Sequence, residues 1–262
     1  MTCVCNVSIN SLIIRKSPCP LPLHVQSNSL RHQDGRLLNF RTDMEETSIM
    51  YIQRMTMYPA LNNGPELREL LRQQVENIHT TGKTATLTAD VLNGHQGASL
   101  SMHIVHNTLE DWESFRRSGD ASRLEILSKA RTLVSRPIAI RLDEIVVRPS
   151  ADIELPTPPF WSQRITGVRK LGKRQELRKF MEDQVARMTS LGRRTHLVSS
   201  LYGTEEPSYS MISFHQNMSD LDELRAYNQE DPEYAKAIAQ LPELIAKPPI
   251  FELSEVLTTL RA

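Results

Sequence analysis

The sequence predicts an α+β protein made of two tandem copies of one β-α-β-β-α-β unit. Three observations lead there. Segments return in the same order at a nearly constant spacing: "YIQRMTMY" at Tyr51 as "WSQRITGV" at Trp161, and "ELRELLRQQV" at Glu66 as "ELRKFMEDQV" at Glu176, both 110 residues on. "SLSMHIVH", ending at His106, returns as "SYSMISFH", ending at His215, after 109, and "LDEI" at Leu142 as "LSEV" at Leu253, after 111. Within each copy the apolar period switches between two and about 3.6 residues, the signatures of strand and helix. Glycine, proline and asparagine fall between the periodic stretches, where turns belong.

The elements follow in order. The first strand alternates, with Tyr51, Met55 and Met57 on one face and Ile52, Arg54, Thr56 and Tyr58 on the other. Gly64-Pro65 opens a helix, proline standing where its missing N–H costs nothing. Leu67, Leu70, Leu71, Val75 and Ile78 form its apolar stripe, repeated as Leu177, Phe180, Met181, Val185 and Met188. Gly82 and Gly192 stop the two helices. Two strands follow, "TATLTADVL" and "SLSMHIVH", joined through Asn93-Gly94, a strong hairpin signal. Their counterparts are "THLVSSLY" and "SYSMISFH". Leu109, Trp112 and Phe115, then Leu127, Ala130, Leu133 and Val134, mark two helical stretches that recur in the second copy. Thr108 with Asp111, and Ser219 with Asp222, read as acidic variants of the capping box. A closing strand begins after Arg136-Pro137 and again after Pro248-Pro249. This order is that of a ferredoxin-like unit.

The domain plan is therefore a first repeat over 50–150, a proline-rich linker over 151–159 ("RPSADIELPTPPF" surrounds it) and a second repeat over 160–262. Residues 1–49 lack sustained periodicity and read as a disordered or non-native N-terminal extension, with Met44 or Met50 as the biological start. A chain beginning at Met50 is expected to match the full chain in urea. A loss beyond about 1 kcal/mol would show that the leader packs on the fold.

Bulk properties exclude several classes. With 31 basic and 31 acidic residues, no net field draws the chain to nucleic acid or an anionic membrane. No apolar run approaches the roughly 18 residues of a membrane span, so a soluble, cytoplasmic protein is expected. The three cysteines, Cys3, Cys5 and Cys19, crowd the leader, and with His24 they match no common zinc spacing. No metal is expected.

A four-stranded sheet with helices on one face must cover the other, and the economical cover for a duplicated chain is its twin. Here "QRMTMYPALNNGPELREL" and "DPEYAKAIAQLPELIAKPP" resemble the dimeric α+β barrel superfamily, nearest its NIPSNAP-like and antibiotic-biosynthesis-monooxygenase-like members. The resemblance implies an intramolecular pseudo-dimeric α+β barrel formed by the two repeats. It further implies a pocket between sheet and helices or at the barrel edge. Members include cofactor-free monooxygenases, haem-degrading enzymes and decarboxylases, and no catalytic residue transfers from them. No haem-ligand motif, nucleotide loop or nucleophile elbow occurs, so no cofactor is expected.

Six residues form the candidate ligand site: Arg54, Thr56, Arg164, Thr166, His106 and His215. Alternation sets each arginine and its threonine on the barrel face. A guanidinium there needs a carboxylate such as Asp143, or a bound anion. The repeated histidines end a strand just before a helix, where they hold the corner or reach a ligand. His95, His103 and His196 have no repeated partner and read as incidental, and His103 cannot ligate a metal with His106 because their side chains point to opposite faces. The reading that follows is a small-molecule-binding barrel, with a small or anionic ligand as partner and homo-oligomers allowed. The alternatives are a cofactor-independent monooxygenase-like enzyme acting on an aromatic or polyketide-like substrate, and a NIPSNAP-like interaction module. A cavity of about 300 Å³ or more would favour the first two, and a filled barrel the third.

Overall fold

The alternation in "YIQRMTM" makes Tyr51–Met57 a strand, β1, whose Met55 and Met57 turn toward a helix while Arg54 and Thr56 turn away. In the computed structural model, which describes residues 49–93, 98–204 and 206–262, the remaining elements follow in the predicted order. They are α1 (Gly64–His79), β2 (Ala85–Asn93), β3 (Ser99–His106), α2 (Leu109–Arg117), α3 (Ala121–Thr132) and β4 (Ala139–Val147). The second half repeats them as β5 (Phe160–Val168), α4 (Arg174–Ser190), β6 (Thr195–Tyr202), β7 (Ser208–His215), α5 (Met218–Glu230), α6 (Pro232–Leu244) and β8 (Ile250–Leu260). The leader with its cysteines and His24, the Gly94 turn and His95 lie outside the described residues.

The fold is mixed α+β: among the described residues, six helices surround one closed antiparallel barrel of eight strands. Its strand order is β1-β3-β2-β8-β5-β7-β6-β4. The expected α+β barrel closes where the two sheets join edge to edge, β2 pairing with β8 and β4 with β6. Closure removes the four edge strands that two open sheets would leave unpaired. Every neighbouring pair is antiparallel, so β1 and β5, on opposite walls, run in the same direction. Matched residues of the two halves therefore stand at the same height across the barrel.

Outside the barrel, α1 covers its own half with Leu67, Leu71, Val75 and Ile78 packed on Met55, Met57, Leu87 and Met102. In the other half, α4 does the same with Leu177, Met181, Val185 and Met188 on Leu197, Tyr209 and Met211. Leu71 of α1 is fully buried, and Leu71→Ala is expected to cost about 2–5 kcal/mol, read from the urea midpoint. A smaller loss would mean that the site collapses around the gap. Pro65 sits in the first turn of α1 as expected, and Gly82 and Gly192 take φ of 76° and 70° past the ends of α1 and α4. Gly203 is compulsory for another reason, since a Cβ there would lie 2.0 Å from the Ile140 carbonyl oxygen.

One capping expectation needs correcting. Thr108 does cap α2, accepting from the Asp111 N–H at 3.0 Å. In the second half the cap is Asn217, which accepts from the Asp220 N–H at 3.0 Å, and not Ser219. Asparagine is at least as good a cap as serine, and it stands at the position matched to Thr108. Among the described residues no helix is long and apolar enough to cross a membrane.

Candidate functional site: the barrel interior

Eight strands enclose a space that side chains can just fill, or that holds one small ligand. Here both occur, at different heights.

Midway along the barrel lies a belt of charge. Arg54 donates to Glu252 Oε1 at 2.9 Å, Asp90 Oδ2 at 3.1 Å and Ser101 Oγ at 3.2 Å. Arg164 donates to Asp143 Oδ2 at 2.7 Å, and its Nε lies 3.5 Å from Glu252 Oε2. Arg141 donates to Asp143 Oδ1 at 2.6 Å. Glu252 thus stands between the two matched arginines. Asp90 also accepts from the hydroxyls of Ser99, Ser101 and Ser254 at 2.6, 2.9 and 2.6 Å. Three cations face three carboxylates, and every carboxylate lies beside a guanidinium.

Burial alone would lower the Arg54 pKa, but Glu252 and Asp90 outweigh it and hold the group charged. Asp90 and Asp143 stay below the usual carboxylate range despite burial, Asp90 chiefly through Arg54 and Asp143 through Arg164 and Arg141. Arg141 goes the other way, to about 10, because burial and the charge of Arg164 oppose its protonation.

On one side of the belt the barrel is filled. Thr56 and Ser101 share a hydrogen bond at 3.0 Å, and the matched Thr166 and Ser210 share one at 2.8 Å. On the other side it is open inside. A cavity of about 450 Å³ extends from Arg54, Arg164 and Glu252 to the barrel end, where Arg148, Arg194 and Arg261 stand with Leu155, from the segment between β4 and β5. Its walls are Ile52, Val105, Phe160, Ile212, Phe214 and Val256, interrupted by Thr86, Ser162 and Ser254. Phe160 and Phe214 meet edge to face at 5.8 Å. Two histidines face this space, one from each half. His103 lies 3.4 Å from the Thr88 hydroxyl, whereas His196 is only 6 % exposed and, among the described residues, neither of its ring nitrogens has a hydrogen-bond partner.

The six sequence-picked residues therefore separate into three groups. Arg54 and Arg164 reach the cavity floor and are joined through Glu252. Thr56 and Thr166 point into the barrel on the filled side, tied to serines and away from the cavity lining. His106 and His215 turn outward to the helix layer, fully buried. His106 lies 5.3 Å from the Phe115 ring, and His215 is 3.0 Å from the Ser213 hydroxyl. They pack the strand-to-helix corner and do not line the cavity. The histidines that do line it, His103 and His196, are the ones that sequence reasoning set aside. Strand alternation could have found them: in "SLSMHIVH" the face that carries Ser99 and Ser101 also carries His103.

All four of these histidines are held neutral at neutral pH. Burial is the main cause in each, pushing His103 to about 3 and His106, His196 and His215 to about 4. Unfolded histidines titrate near 6.5. Below about pH 6.5 the unfolded chain takes up protons that the folded chain refuses, so stability is expected to fall steadily from there to about pH 4. Urea midpoints at pH 7.5, 6 and 5 should decrease in that order. A flat profile over this range would show these rings to be protonated in the fold.

A second cleft, of about 460 Å³, lies outside the barrel between α3 and the outer face of β1 and β4, lined by Met55, Leu127, Arg131, Val134, Ile138 and Ile140. It corresponds to the place between sheet and helices that the resemblance implied, but it holds neither a histidine nor a carboxylate.

No protein-family model matches this chain, and no curated protein matches it. Solved structures do. A candidate monooxygenase from Fusobacterium nucleatum superposes with a TM-score of 0.64 at 9 % identity, over 82 % of this chain and 95 % of that one. An anthrone oxidase-like protein gives 0.58 at 13 % identity, over 82 % and 94 %. A candidate monooxygenase from Lactobacillus acidophilus gives 0.56 at 10 % identity, over 81 % and 96 %. Identities this low speak for fold alone: the neighbours share the α+β barrel architecture described above.

Proposed function

We propose that this protein binds a small organic molecule inside the barrel, between the charged belt and the open end. One observation carries the reading: a cavity of about 450 Å³ with apolar walls and an unbonded, buried histidine, His196. That volume falls within the roughly 300–1,000 Å³ of ligand pockets, which pair apolar walls with a few polar groups. We further read the chain as a tandem pair of ferredoxin-like repeats. The support is the matched sequence segments and the identical strand order of each half, fourth-first-third-second. The NIPSNAP-like interaction module predicts a filled barrel, and the cavity speaks against it.

A neutral bicyclic aromatic, 2-naphthol, tests the reading by calorimetry. Uptake of one molecule per chain is expected, abolished by Ser162→Trp, which puts an indole into the cavity. Uptake that S162W leaves untouched, or no uptake by the unmodified chain of either 2-naphthol or its anionic counterpart 2-naphthoate, would overturn it.

A second reading, an oxygenase without cofactor, draws on the names of the structural neighbours and on His196 as a base facing the cavity. Magnitude argues against it. With a pKa near 4, His196 is far from the operating pH that general-base catalysis favours. Anthrone supplies the check: its oxidation to anthraquinone takes up one O₂ and releases one water. The binding reading expects no acceleration over a protein-free control in an oxygen electrode. Acceleration that His196→Phe removes would replace binding with catalysis.

A further inference from the structure

The cavity is charged differently at its two ends. At the inner end Arg54 and Arg164 are already engaged by Asp90, Asp143 and Glu252, and the side chain of Glu252 borders the space. A ligand carboxylate pushed to that depth would meet a carboxylate and no free cation. At the mouth the balance reverses. Arg194 donates to the carbonyl oxygens of Ser150 and Ile153, and Arg261, which lines the same end, is exposed. Among the described residues neither has a carboxylate within ion-pairing distance. Burial and, after it, the positive charge of Arg261 lower the Arg194 pKa, so the two guanidiniums act on each other at this end of the cavity.

Between the ends lie the Phe160 and Phe214 rings. The His196 ring is tilted beside Phe214 at 5.6 Å, both its nitrogens unbonded. An unsatisfied buried imidazole carries the full cost of its desolvation unless something bonds to it.

We infer that the barrel takes an aromatic carboxylate: its anionic group at the Arg194–Arg261 mouth, its ring between Phe160, Phe214 and Ile212, and a ring hydroxyl or carbonyl against His196. This inference rests on the barrel-binding reading and adds the ligand's class and direction. The field at the mouth draws the anion and stops it there, because Glu252 repels deeper entry. The same field orients the ring, since only the uncharged end can travel inward.

The pair 2-naphthoate and 2-naphthol isolates the charge, because the two share a ring system and differ in the anionic group. By calorimetry at low salt, 2-naphthoate is expected to bind at least about tenfold more tightly. Arg261→Met should weaken 2-naphthoate by about three- to tenfold and leave 2-naphthol within about twofold. Raising the salt should erode the advantage of 2-naphthoate alone. Arg261 makes no side-chain hydrogen bond among the described residues, so this variant should fold. Arg194→Lys, which keeps the charge, serves as the second variant and should retain most of the preference. Equal affinities for the two probes, or a preference that R261M leaves intact, would overturn the inference while the barrel-binding reading stands. If neither probe binds, both fall.

Discussion

Replacing Arg54 with methionine is expected to lower stability by about 3–5 kcal/mol, the usual cost of removing one partner from a buried ion pair. The side chain is 8 % exposed and answers two carboxylates, Asp90 and Glu252. Methionine keeps the length and removes the charge, which leaves Asp90 with only its serine hydroxyls and Glu252 with the more distant Arg164. Arg164→Met should cost a similar amount, softened because Asp143 keeps Arg141 at 2.6 Å. Urea denaturation at pH 7.5 provides the measurement. Little loss, or a gain, accompanied by weaker binding of carboxylates, would mean that the arginines form an anion site and not a structural belt. Removing both sides at once, in Arg54→Met with Glu252→Leu, should recover part of the loss, since a buried pair exchanged for apolar groups is often near neutral.

Separating the halves should have the larger effect. The chain from Tyr51 to Ser150 is expected to associate or aggregate and not to persist as a folded monomer. Alone, it leaves β2 and β4 without β8 and β6, so two full strand edges lie open. Its barrel face then presents Arg54 without Glu252 and Asp143 without Arg164. Self-pairing mends the edges but not the charges. The position matched to Glu252 in the first half is Arg141, so a dimer of first halves would set Arg141 against Arg54 of the other copy. Mixing the two halves should restore a folded one-to-one complex. Sedimentation showing a stable, folded monomer of the first half would refute the dependence of each half on the other.

Much of the architecture was legible in the sequence because it depends on local rules. Strand alternation, the stripe on α1 and its copy on α4, Pro65 and the two stop glycines all act within a few residues, and they appear where the pattern put them. The same alternation put Arg54 and Arg164 inside the barrel. Repetition was a good guide to the fold and a poor guide to the site. It favoured His106 and His215, which recur because the strand-to-helix corner recurs. It dismissed His103 and His196, which face the cavity from positions that do not match. A ligand breaks the symmetry of its site, so residues that serve a ligand need not be duplicated.

What the sequence by itself determined was the order of elements, the two faces of each strand and the need for a partner to every buried arginine. Which partner, and whether the barrel is full, only the tertiary structure decided. Glu252 meets Arg54 across 198 residues of chain, and Asp90 meets Ser254 across 164, distances over which no periodicity carries information. The cavity depends on the summed side-chain volume at one height of a closed barrel, where the strand junctions β2–β8 and β4–β6 set the stagger. Alternation assigns a residue to the inside of the barrel. Its height, and so whether it borders filled or empty space, follows from register, and register exists only once the strands have paired.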